Sequence, residues 1–262
     1  MEYNMIDTHC HITCDALYER IEEVLKNAIE HYVTRLLIVC TNFVEYERAV
    51  LWKEKGYPLD IALGFHPNDL YAFKEEDYER LESLLSEDKL IALGEIGLDY
   101  HWDDVERDDQ KVGFKRQIEL AQKYDKPILI HMRDATQDTI KILKSYAPCK
   151  GIMHCYSGSL ETAKILMGLG LYISYAGPLT FKNSKGAVEC AKGIPVDRLF
   201  VETDSPYLTP HPFRGKQNEP MYVTHTFEKL REIKGMDEEE LSRQLEKNYS
   251  KLFAIKGASM IK

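Results

Sequence analysis

Short apolar runs recur along the chain, separated by longer stretches in which apolar residues return with a helical period. The runs are NMIDTH (4–9), RLLIVC (35–40), DIALGFH (60–66), LIALGEIG (90–97), PILIHM (127–132), GIMHCYS (151–157), LYISYAG (171–177) and RLFVET (198–203). Most are continuous and not alternating, the pattern of strands buried on both faces in a parallel sheet. Between them, ALYERIEEVLKNAIEHY (16–32) gathers Leu17, Ile21, Val24, Leu25, Ala28 and Ile29 on one face, with charge opposite. Further helical stretches are expected at 43–55, 78–88, 109–125, 135–147, 159–170, 184–194, 221–235 and 237–253. Eight strand–helix units in 262 residues predict an α/β fold, a TIM-type (β/α)8 barrel forming one domain over 1–262. A doubly wound open sheet is the competing arrangement. The longest irregular stretch, SPYLTPHPFRGKQNEP (205–220), follows the last strand and should lie across the barrel mouth.

The polar residues favour the barrel. His9 and His11 fall at the end of strand 1, His66 at strand 3, Glu95 at strand 4, His131 at strand 5, His154 at strand 6 and Asp204 at strand 8. In a barrel these C-terminal ends converge on one face, where the active sites of this fold lie. His9 and His11 are two apart and share one side of a strand, so both can reach one ion. A single histidine at a strand end reads equally well as a hydrogen-bonded core imidazole. Burying the whole set without a metal would be expensive. Imidazoles with carboxylates suit zinc, manganese, iron or nickel better than calcium. The inventory exceeds one tetrahedral ion and fits two ions bridged by Glu95 and a water.

Composition narrows the class. Apolar residues make up 44% and charged residues 29%, ordinary for a folded globular chain. There is no apolar run of membrane-spanning length and no signal-like start, so a cytoplasmic protein is expected. The six cysteines form no CxxC pair and read as reduced thiols. A net charge of −9 argues against a broad basic surface that wraps nucleic acid. It leaves room for a nucleic-acid enzyme, because bound cations attract phosphate locally.

In order along the chain stand DTHCHI, GFHP, GEIGLDY, PILIHMRDA, MHCYSG, ETDSP and RGKQNEP. Together they closely resemble the TatD family of metal-dependent deoxyribonucleases, in the amidohydrolase-like barrel superfamily. The match runs from Ile6 to the helix carrying NYSKLF. The resemblance implies a divalent-metal-dependent hydrolase of DNA phosphodiesters, a 3′→5′ exonuclease on single strands, with endonuclease or RNA-directed activity in some members. It implies one metal held by His9, His11, Glu95 and Asp204, and a second by Glu95, His131 and His154, with Mg²⁺ often supporting turnover. On that basis Asp204 accepts the proton of the attacking water and Glu95 keeps the ions spaced. His66 holds the scissile phosphate or protonates the leaving oxygen, and Arg133 presents its planar fork to phosphate oxygens.

Other residues carry two readings. Glu202, two residues before Asp204, is expected on the same side of the strand, orienting a ligating histidine, against a plain salt bridge. Asp7 is either such a partner or a hydrogen-bond acceptor. Cys10 and Cys155 are expected to be core thiols, turned from the axis by strand alternation. His31, His101, His211 and His225 are expected at the surface or in loops. Tyr156, Tyr100 and Trp102 could touch substrate, but packing explains them at least as well. In RGKQNEP, Arg214 and Lys216 invite phosphate, while loop closure by Asn218 and Glu219 before a helix at Pro220 is the preferred account.

Three rival functions remain. A lactonase or amidohydrolase would often bridge its metals with a carboxylated lysine at strand 4, where this chain has Glu95; Lys89 precedes the strand. An aminoacyl-tRNA deacylase is a further alternative, disfavoured by the lack of a basic face. A binding protein that has lost catalysis should lack a ligand, and none is missing. The oligomeric state is not legible.

Overall fold

In the computed structural model, which describes residues 4–255, eight parallel strands form one sheet in chain order. They are β1 (Met5–Cys10), β2 (Val33–Cys40), β3 (Leu59–Leu63), β4 (Ala92–Asp99), β5 (Ile128–Arg133), β6 (Gly151–Met153), β7 (Leu171–Tyr175) and β8 (Leu199–Val201). The barrel closes where the segment after β8 meets β1. The Asp204 amide donates to the His9 carbonyl at 2.9 Å, and the His11 amide to the Ser205 carbonyl at 2.8 Å. The buried Asp7 carboxylate clamps this seam, taking the Thr203 amide at 2.9 Å and the Thr203 hydroxyl at 2.5 Å. Asp7 therefore acts as a hydrogen-bond acceptor. Burial drives its carboxyl up to about 8 against these donors.

Helices fill the connections: α1 (Asp15–Tyr18) and α2 (Ile21–Glu30), then α3 (Phe43–Glu54), α4 (Glu75–Ser86), α5 (Arg107–Lys123), α6 (Thr136–Ser145), α7 (Leu160–Gly168) and α8 (Lys185–Gly193). Two more, α9 (Val223–Lys234) and α10 (Glu238–Leu252), follow β8. The single helix expected over 16–32 is broken at Glu19 and Arg20. There the Arg20 guanidinium reaches across to Glu219 at 2.8 Å, anchoring the break to the loop after β8. Ile29, expected in the buried stripe, is 47% exposed; Ile21, Val24, Leu25 and Ala28 carry that face in α2, and Leu17 is buried from α1. Among the described residues no helix is long and apolar enough to cross a membrane.

The interior of the barrel is a compact apolar plug. Ile6, Leu37, Val39, Ala62, Ala92, Leu129, Ile152, Tyr172 and Phe200 meet there, while alternate strand residues pack outward against the helices. The N-terminal end is sealed by Tyr249, Leu252 and Phe253 at the end of α10. The Tyr249 hydroxyl donates to Asp60 at 2.8 Å, and Asp60 pairs with Arg35 at 3.0 Å.

Three register shifts interrupt the regular pairing, the first where β2 carries an extra residue between Val33 and Arg35 opposite Met5 and Ile6. Between Asp7 and Cys10, β1 advances three residues while β2 advances two, from Leu36 to Ile38. Between Leu93 and Ile96, β4 does the same against Ile128 to Ile130 of β5. Each extra residue is a β-bulge, which re-aims the side chains beyond it. On β1 the bulge lets Ile6 and Thr8 line the interior and still turns His9 and His11 inward, with Cys10 outside. On β4 it does the same for Glu95.

The bulged β4 lies so close to its neighbours that glycine is required. A Cβ on Gly94 would sit 2.5 Å from the Leu129 Cβ. At Gly97 (φ +150°) it would sit 1.9 Å from the His131 carbonyl oxygen. Gly97→Ala should therefore cost about 3 kcal/mol or more in urea unfolding. Gly56→Ala, at φ +93° with open space around it, should cost only the backbone strain of about 1–2 kcal/mol. Equal midpoints for the two variants would refute the close-approach argument.

Candidate metal centre

At the C-terminal end of the barrel, four donor atoms from three elements meet. His9 Nε2 lies 3.1 Å from His11 Nε2 and 3.4 Å from Glu95 Oε2. Asp204 Oδ1 lies 3.8 Å from the first and 3.5 Å from the second of these imidazole nitrogens. Donors around a tetrahedral ion at zinc-like bond lengths are about 3.4 Å apart, so His9, His11 and Glu95 fit one ion, with Asp204 beside the two imidazoles. The other Glu95 oxygen faces a second group: Oε1 is 2.7 Å from His131 Nδ1 and 2.8 Å from His154 Nε2. The carboxylate is thus split between two nests of imidazole nitrogen.

The far nitrogens of three imidazoles are tied down. His11 Nδ1 meets the Val39 carbonyl at 2.8 Å, His131 Nε2 meets Asp99 at 3.0 Å, and His154 Nδ1 meets Glu202 at 3.1 Å. Each acceptor claims the N–H of that nitrogen and leaves the lone pair of the other facing Glu95, the tautomer a metal ligand needs. Glu202 is fully buried and also takes the Cys155 amide at 2.6 Å. The His9 ring stacks on His154 at 3.9 Å, and its Nδ1 is buried without a partner.

The charges point the same way. Burial pushes the Glu95 carboxyl up, but His154, His131 and His9 outweigh it and hold the group well below the usual carboxylate range. Burial opposes charge on His11 too, yet Asp204 and Glu95 raise it to about 9. His154 rises well above the ordinary imidazole value, against burial, because of Glu95 and Glu202. These carboxylates demand positive charge among the histidines. Protons supply it in the metal-free protein, and divalent cations would supply it at the same donors.

Beyond the strands, the expected residues fall less regularly. β3 ends at Leu63, so His66 sits three residues past the strand expected to carry it, capping the 3-10 turn Pro67–Ala72. Its Nδ1 accepts the Asn68 amide at 3.2 Å, and its Nε2 is 3.9 Å from Glu95. Burial lowers its pKa to about 4. β6 and β8 stop at Met153 and Val201, so Glu202 and Asp204 do not share a side by strand alternation. Asp204 is aimed by a left-handed backbone (φ +59°), a conformation that aspartate tolerates better than most residues. Cys155 is also left-handed (φ +43°), and this corrects its expected place. It is half-buried on the wall of a cavity of about 750 Å³ beside His154 and Asp204. Cys10 is a core thiol, its Sγ near the Leu37 carbonyl.

Arg133 is exposed on the same cavity, and Tyr156 is buried there with its hydroxyl on the Ser159 carbonyl. The Tyr100 hydroxyl is taken by Asp138, whereas Trp102 is half exposed. His31, His101 and His211 are exposed; His225 is half-buried in α9 against Phe213. Asn218 and Glu219 do close the loop, through the Thr203 and Tyr207 carbonyls and through Arg20 and Asn27. Asp99 and Asn68 were not anticipated. Asp99 holds His131, takes the Asn68 amide group at 3.2 Å, and is lowered to about 2, its donors overcoming burial. It lies four residues after Glu95 on the same side, a signal hidden by ending the strand at Gly97.

Comparison with known proteins agrees with this geometry. A family model described as TatD related DNase matches residues 6–254. A Bacillus subtilis protein described as the uncharacterized metal-dependent hydrolase YabD is 43% identical over 96% of this chain and 99% of its own. The Escherichia coli K12 protein YcfH, also described as an uncharacterized metal-dependent hydrolase, is 36% identical over 96% of each chain. The crystal structure of YJJV, a TatD homologue from Escherichia coli K12, superposes with a TM-score of 0.90 at 29% identity, covering 96% of this chain and 98% of that one. On its sequence match and its barrel, this chain belongs to the TatD-related DNase family, in which these relatives are described as metal-dependent hydrolases.

Proposed function

We propose that this protein is a divalent-metal-dependent deoxyribonuclease that hydrolyses phosphodiester bonds, trimming single-stranded DNA from the 3′ end. The observation that carries this reading is the Glu95 carboxylate, whose two oxygens face separate imidazole groups in a chain matched to a DNase family along nearly its whole length. His9, His11, Glu95 and Asp204 would hold one cation; Glu95, His131 and His154 would hold a second. Zinc, manganese, magnesium, nickel and iron are the candidates. Two such cations, when bound, acidify water and neutralise charge developing on phosphate.

The chain's own groups have distinct tasks. Asp204 lies on the cavity wall, where it would take the proton of the attacking water. Glu95, anchored by histidines on both oxygens, fixes the spacing of the two sites. His66 accepts the Asn68 amide at Nδ1, so its neutral ring carries the proton at Nε2. It therefore suits holding a phosphate oxygen better than protonating a leaving group. Arg133 offers a planar fork at the cavity rim. Glu202 and Asp99 orient His154 and His131. The cysteines are all free, which suits the cytoplasm.

Purified protein stripped of metal and then reloaded should bind two ions per chain and cleave labelled single-stranded oligonucleotides. Asp204→Asn and Glu95→Gln should each lower kcat by about 10²–10⁴-fold. Wild-type rates in both would sink the assignment. Turnover of lactones or aminoacyl-tRNA, with no cleavage of DNA under Mg²⁺, Mn²⁺ or Zn²⁺, would replace it with a rival reading. Glu202→Gln should weaken metal binding about 10–100-fold by calorimetry while the barrel keeps its circular dichroism. An unchanged affinity would show that Glu202 does not orient His154.

A further inference from the structure

The cavity beside the metal centre is electrostatically lopsided. One wall is built from the segments that follow β7 and β8, among them Phe181, Ser184 and Tyr207. From 162 to 188 and again from 205 to 218 the sequence contains no Asp or Glu. The same stretches carry Lys164, Lys182, Lys185, His211, Arg214 and Lys216. The loop between β4 and α5 has the opposite character, with Asp103, Asp104 and Glu106 exposed. In a chain of net charge −9, this is a local reversal of sign.

The cations of that wall are also uncommitted. Several arginines elsewhere are paired, Arg48 with Asp15 at 2.7 Å, Arg80 with Glu47 at 2.7 Å and Arg231 with Glu228 at 2.6 Å, although Arg107 and Arg198 rest over the Tyr100 and Tyr172 rings with no ion pair among the described residues. Among the described residues, Lys182, Lys185, Arg214 and Lys216 of that wall make no ion pair; nor does Arg133 of β5, whose guanidinium lies 5.7 Å from the ring centre of Trp102 in the loop after β4. Arg214 instead lies over the ring of cavity-lining Phe181, 4.5 Å from its centre, a packing that holds the guanidinium at the rim with its donors free. Arg133 stands on the same cavity. Tyr207 is 60% exposed, and its ring is centred 6.3 Å from that of His11. Free guanidinium groups with an exposed aromatic beside them form the combination that holds single strands: charge for phosphates and a flat face for a base.

We propose that the substrate strand leaves the metal centre over this wall alone, with phosphates beyond the scissile one held by Arg214 and Lys216 and a base stacked on Tyr207. The acidic loop after β4 repels the strand on the opposite side. This rests on the nuclease reading and adds to it a direction and a set of contacts. A polyanion enters from one side only, which suits a site that works at strand ends. It also resolves RGKQNEP into two halves: Asn218 and Glu219 close the loop, and Arg214 and Lys216 face substrate.

The test compares wild type with the double variant R214E/K216E and with Tyr207→Ala. The substrates are a long single-stranded oligonucleotide and a dinucleotide, whose single phosphate cannot reach the wall. The charge reversal should raise KM for the long strand about tenfold, leaving kcat and dinucleotide cleavage within about twofold. The slope of log kcat/KM against log salt should flatten by about 0.7 for each lost phosphate contact. Tyr207→Ala should raise KM without changing that slope. A wild type that cleaves the long strand, with unchanged KM and salt slope in R214E/K216E, overturns the proposal and leaves the nuclease reading standing. A metal-loaded wild type that cleaves neither substrate overturns both.

Discussion

A buried carboxylate surrounded by four imidazoles organises this molecule. Glu95 has almost no access to water, and burying its charge would be prohibitive without compensation. Compensation must come from cations or protons held within a few ångströms on both of its oxygens. His9 and His11 supply one side, and His131 and His154 the other. They come from the ends of three strands, β1, β5 and β6, and three are locked by an acceptor behind them. The barrel is the scaffold that lets β1, β4, β5 and β6 present these groups to one point. A flat sheet would leave β1 and β8 at opposite edges, and Asp204 could not reach His11.

Much of this was legible in the sequence. Eight continuous apolar runs marked a parallel barrel because strands buried on both faces have no polar side to show. The polar residues at their ends stood out against that background. Helix periodicity located the outer layer, apart from the break at Arg20, which depends on a contact with Glu219 far along the chain. The residues brought together around Glu95 are those that the strand-end pattern singled out.

What stayed hidden is irregular backbone. Simple alternation cannot put Ile6, Thr8, His9 and His11 all inside; an extra residue in β1 does so, and a matching one in β4 turns Glu95. Such bulges leave no mark on hydrophobic periodicity. The left-handed turns at Cys155 and Asp204 likewise broke the rule that placed Cys155 outside and Glu202 beside Asp204. Asp99 was lost for a simpler reason: glycine at 97 reads as a strand end, but here it allows β4 to pass close to His131 and continue.

The seam between β1 and the segment after β8 bears on how the chain comes into being. Asp7 and Thr203 are 196 residues apart, and so, to within a residue, are His9 and Asp204. Tyr249 seals the floor from still further along. A nascent chain leaving the ribosome can pair β1 with β2 early and meet Glu95 once β4 is made, yet its histidines lack Asp204 until β8 has been made and has docked. Half-built barrels therefore display His9 and His11 without the rest of the cage. The full donor set exists only in the finished ring, so the last strands to be synthesised act as the licence for the first.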